Sequence, residues 1–175
     1  MFKRFFKTRP EQRDAQNLYN WAMTGARQPD YYVPGGIEDS YDGRIEFLFL
    51  HLGLILHHLR RFGPDGEVLS QSLYDVMIAD FDVALREQGI ADTGVQRRIK
   101  AMVRLFYGRA KLYHEAASEG DDALVTAAHG ALLPHDSPNP DVQIRVPDYT
   151  LRLHRAMQAA TLADFQNARL CGDLQ

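Results

Sequence analysis

Within DVMIADFDVALREQG, Asp75 to Gly89, one acid stands where a helix should be apolar. At about 100° per residue, Leu73, Met77 and Ala84 fall on one stripe, flanked by Val76 and Phe81. Asp80 falls inside that stripe, and Glu87 falls nearly beneath it. Asp82 and Arg86 point the other way. An ionised carboxylate among apolar side chains must meet a cation, collect hydrogen bonds or take up a proton. Arg44, His51 and His58 recur at intervals of seven along another helix and so share a face. Arg109 lies at the edge of a third apolar stripe. The spacing therefore predicts that Asp80 pairs with Arg44 or Arg109, with His51 nearby. Such a cluster either latches three helices together or forms the floor of a groove that recognises a partner; the two roles are compatible.

Other chemistries find less support. HEXXH is absent, as is the ExxH pair of di-iron bundles. His57 and His58 point about 100° apart on one helix, too far to share a site from that helix alone. His51 with His58 could flank a haem edge or a metal, which keeps a haem- or metal-handling protein as an alternative. Otherwise no metal site and no cofactor is expected. GxSxG and GxxxxGK are missing, and Asp80 and Asp82 diverge too far to act as a dyad, so no catalytic residue is assigned. The single cysteine, Cys171, allows no intrachain disulfide. Gly108 in mid-helix costs about 1 kcal/mol against alanine. It marks close approach of another backbone, a partner crossing that face, or a tolerated surface glycine.

The elements that must hold these residues read as helices throughout. Residues 11–28 carry a modest stripe of Leu18, Trp21 and Ala22, ended by PDYYVPGG. Ser40 or Asp42 can cap the next helix. Arg44 to Phe62 is apolar around most of its girth and should be central. FGPDGE reads as a loop, Val68 to Gln88 as a helix stopped by Gly89, and IADTG as a short connection capped by Asp92 or Thr93. Val95 to Ala117 carries Arg97, Lys100, Arg104 and Lys111 on its outer face. Ala123 to Leu133 is short, PHDSPNPDVQIRVP reads as loop, and Asp148 to Leu170 closes the chain. No stretch alternates as a strand does. The expected class is all-α: a single compact bundle of about six or seven helices.

The 175 residues suit one domain, and a net charge of -3 argues against direct nucleic-acid binding. The longest apolar run, FLFLHLGLIL, is about half the length a bilayer requires. At the start, Phe2, Phe5 and Phe6 interleave with Lys3, Arg4 and Lys7. That pattern suits weak attachment to an anionic membrane surface or docking on the domain's own core. Residues 1–12 are therefore set apart from a helical domain over 13–175.

Three blocks carry a family resemblance: YDGRIEFLFLHLGLILHHLR, LSQSLYDVMIADFDVALREQGIADTGVQRRIKAM and FYGRAKLYHEA. Over about residues 31–117 they resemble the ubiquinol–cytochrome c chaperones, which assist assembly of the cytochrome b-containing respiratory complex. The family signatures fall on Asp42, Gly43, Arg44, His51, Asp80, Asp82, Leu85, Arg86, Glu87, Gly89, Gly108, Arg109 and Tyr113. The resemblance implies a non-catalytic chaperone whose client is newly made cytochrome b. It also implies a small co-chaperone and the ribosome as further partners. The short basic start leaves little room for an organelle-targeting extension, which suggests a bacterial member working in the cytoplasm at the face of the inner membrane. A structural accessory subunit of a respiratory complex is the remaining alternative.

Overall fold

The computed structural model describes residues 10–134 and 139–170. Six helices of twelve residues or more and a short seventh follow one another: α1 (Pro10–Gly25), α2 (Tyr41–Leu59), α3 (Gly63–Glu87), α4 (Asp92–Glu119), α5 (Asp121–Leu132), α6 (Pro140–Ala159) and α7 (Leu162–Gln166). No strand occurs among the described residues. The all-α expectation holds.

The central helix is α2. Every residue from Phe47 to Ile55 is buried, as its apolar girth demands. It touches α1, α3, α5 and α6 and packs most extensively on α4. Ser40 is its N-cap, accepting a hydrogen bond from the Gly43 amide at 3.1 Å. The α2–α4 crossing is close because of Gly53. A β-carbon there would lie 2.9 Å from the Tyr113 ring and 3.5 Å from Ala110 Cα.

FGPDGE is not a loop. The end of α2 tightens into a 3-10 turn over Arg60–Phe62, and α3 begins directly at Gly63. Gly63 has φ +57°, a backbone region that favours glycine, and Pro64 sits in the first helical turn, where its missing N–H costs nothing. Gly66 is buried against the Leu59 carbonyl, where a β-carbon would approach to 2.0 Å. The punctuating residues mark a sharp corner between two helices rather than a connecting segment.

Three further boundaries differ from expectation. The segment read as loop through Pro147 is helical from Pro140, with Asn139 as N-cap. Val142, Val146, Tyr149, Leu153 and Met157 are buried at helical spacing. That apolar face outweighs the one hydrogen bond lost at Pro147. The closing helix also breaks at Ala160, after which Thr161 and Asp164 form a capping box for α7. At the start of α4 the N-cap is Ala91; Asp92 turns instead to Arg86.

Candidate functional site

The predicted ionic cluster separates into several places. Asp80 does lie within the angular span of the α3 stripe, between buried Val76 and buried Phe81. It is nevertheless solvent-exposed. Its carboxylate accepts the Tyr19 hydroxyl at 2.8 Å and forms no ion pair among the described residues. It lines a groove of about 130 Å³ between α1, α2 and α3, together with Tyr41, Arg27, Arg44 and half-buried Met23 and Ile45. The carboxylate and burial together push the Tyr19 phenol upward, burial being the larger cause. The expected pairing with a guanidinium is thus replaced by a tyrosine hydroxyl. A helical stripe specifies a direction, not whether a neighbour covers it; at this level α1 offers only the end of a tyrosine.

Arg44 instead pairs with Asp39 at 2.7 Å and lies over the Tyr32 ring, 4.8 Å from its centre. Arg109 makes a bidentate pair with Glu46, at 2.6 and 2.8 Å, bridging α4 and α2. Both side chains are largely buried, and the carboxylate raises the guanidinium pKa further. The three-helix latch expected around Asp80 is absent among the described residues; a different pair, Arg109 with Glu46, joins α4 and α2. Beside it Tyr113 is fully buried, and its hydroxyl has no hydrogen-bond partner among the described residues.

His51 is not near Asp80. It is completely buried, with Nδ1 2.8 Å from the Phe47 carbonyl and Nε2 2.6 Å from the Tyr149 hydroxyl. Nδ1–H donates to the carbonyl, so Nε2 accepts from the tyrosine and the ring is neutral. Burial lowers its pKa to about 4. Gly25 makes room for it: a β-carbon there would come 2.5 Å from Nε2. Asp82 binds Arg86 at 2.6 Å, and Arg86 also reaches Asp92, tying the end of α3 to the start of α4. Asp42, Glu87 and Gly108 are exposed. No atom lies within 4 Å of a β-carbon built on Gly108, so no backbone approaches there; the close approach is at Gly53. Phe2, Lys3, Arg4, Phe5, Phe6 and Lys7, together with Cys171, lie outside the described residues.

A histidine group that sequence spacing did not assemble lies at the other end of α2. Arg61 donates to His58 Nδ1 at 2.9 Å and to the Met157 and Ala160 carbonyls, closing the C-terminal end of α6. His58 is then the Nε2–H tautomer and donates to His154 Nδ1 at 3.2 Å. Neither His51 nor His58 keeps a free lone pair, which counts against the alternative of a haem or metal held by those two. His57 and His114 face each other, Nδ1 to Nδ1, at 2.9 Å. Both line a cleft of about 690 Å³ between α2, α3 and α4. Adjacent histidines on α2 thus serve different neighbours, α4 and α6. The helix packing that brings these rings together leaves no trace in local spacing.

Comparison with known proteins adds a frame to this geometry. A family model described as ubiquinol-cytochrome C chaperone matches residues 35–170. Among solved structures, the crystal structure of the Cbp3 homolog from Brucella abortus is similar, with a TM-score of 0.74 and 27% identity. The match covers 92% of this chain and 89% of that one. No curated protein sequence matches the chain.

Proposed function

The chain belongs to the ubiquinol-cytochrome C chaperone family, and on that basis we propose that it is an assembly chaperone that holds newly made cytochrome b while the ubiquinol–cytochrome c reductase complex is built. The family match over residues 35–170 carries this reading. The role is to bind and release, not to turn a substrate over.

The groove around Asp80 is the surface we assign to the client. It combines exposed Tyr41, half-buried Met23 and Ile45, and both charge signs in Asp80, Arg27 and Arg44. Apolar walls with a few placed charges suit a segment that must be kept from aggregating yet released later. The α2–α4 latch of Glu46 and Arg109 keeps α2, and so one wall of the groove, in place.

The proposed site of action is the cytoplasmic face of the inner membrane. No helix among the described residues is long and apolar enough to cross a membrane. Attachment would be peripheral, through Phe2 to Lys7 and through exposed Arg97, Lys100 and Arg104 on α4. Cations so placed attract anionic headgroups, each by about 1 kcal/mol near the surface.

Photo-crosslinkers at Tyr41 and Asp80 in cells test the assignment, with exposed Ile144 on α6 as the control position. Cytochrome b trapped from the first two positions and not from Ile144 is the expected result. No cytochrome b from any position, with the protein abundant and folded, would overturn the client assignment. The same captures score a small co-chaperone and ribosomal proteins.

A further inference from the structure

The cleft between α2, α3 and α4 has the chemistry of a cofactor site. We propose that it binds an iron porphyrin, with one imidazole of the His57–His114 pair as axial ligand. At about 690 Å³ it falls within the roughly 300–1,000 Å³ of small-molecule sites.

The histidine pair supplies the first argument. A hydrogen bond between two neutral imidazoles requires one N–H and one lone pair. Whichever ring donates from Nδ1 must therefore carry a bare lone pair on Nε2. Among the described residues neither Nε2 has a hydrogen-bond partner. A ring whose far nitrogen donates to a fixed acceptor is oriented and made more basic, the usual condition of a metal-ligating histidine.

The walls supply the second. Leu56, Phe106, Tyr74 and Tyr107 offer apolar and aromatic faces to a flat ring. Arg60 and Lys111 line the same cleft with one acid, Glu67, so the lining carries a cation that a carboxylate can meet. Lys111 contacts Glu115 at 3.7 Å, with both side chains exposed. A porphyrin brings four nitrogens of its own and asks the protein for one.

The test is titration of the full chain with ferric protoporphyrin IX, read at the Soret band, beside metal-free protoporphyrin. The expected result is a saturable one-to-one shift, with the metal-free ring bound at least about tenfold more weakly. Of His57→Phe and His114→Phe, one should abolish the shifted band. The other should weaken binding by roughly tenfold or more. Lys111→Glu should weaken it severalfold without moving the band. Circular dichroism of each variant reports folding. Should a histidine variant unfold, the remaining one and Lys111→Glu decide. Absence of saturable binding, equal affinity for the metal-free ring, or unchanged binding in every folded variant would each overturn the proposal. Its failure would leave the chaperone reading untouched, since it rests on the cleft alone.

Discussion

At the scale of single residues, charge position and charge burial come apart. Asp80 is exposed and bonded to one hydroxyl, so Asp80→Asn should stay folded and change stability by no more than about 1 kcal/mol. A urea melt checks this; global unfolding would restore Asp80 as a structural latch. Glu46→Ala strands the Arg109 guanidinium in a mostly buried place and should cost about 2 kcal/mol or more in the same measurement. Tyr113→Phe removes a buried hydroxyl without a partner, so stability should hold or rise by up to about 1 kcal/mol. A lower melting point for the Tyr113→Phe variant would mean that the hydroxyl has a partner, such as a bound water. The sequence made Asp80 conspicuous because its neighbours on the stripe are apolar. It left Glu46 unremarked because Glu46 sits near the polar start of an otherwise apolar helix. Distinguishing the two requires knowing which helix lies opposite.

At the scale of the elements, glycines sort by what faces them. Gly108 was legible as an anomaly, but its cause was not. With open space around it, Gly108→Ala should stabilise α4 by about 1 kcal/mol. Gly53→Ala should instead push against Tyr113 and cost about 1–3 kcal/mol. Thermal melts of the pair check the contrast; equal shifts would mean that the α2–α4 crossing is looser than described. Helix α2 was recognisable from its apolar girth, since only a surrounded helix can be hydrophobic on all sides. The start of α6 was not, because its prolines outweighed a buried face whose partner lies far away in sequence. Turn residues report local preference, and α6 forms where tertiary packing overrules it.

At the scale of the whole molecule, the interior holds neutral imidazoles. His51 and His57 have folded-state pKa values near 4 and His58 near 3, all lowered mainly by burial. In the unfolded chain these rings titrate near the usual value of about 6.5. Between those limits the unfolded state binds more protons, so stability is full above about pH 7 and falls as pH drops towards 4. His51 alone, wholly buried, contributes on the order of 3 kcal/mol to that loss. Chemical denaturation at pH 7.5 and pH 4.5 measures it; equal midpoints would mean that the rings are already charged or wet. The all-helical class was legible in the sequence because periodicity is local, whereas the meeting of four histidines from three helices was not. The corner at Gly63 has a mechanical corollary. With no slack residues between α2 and α3, the two limbs behave as a bent rod. Spreading one limb to admit a guest must swing the other, carrying the side chains packed along it.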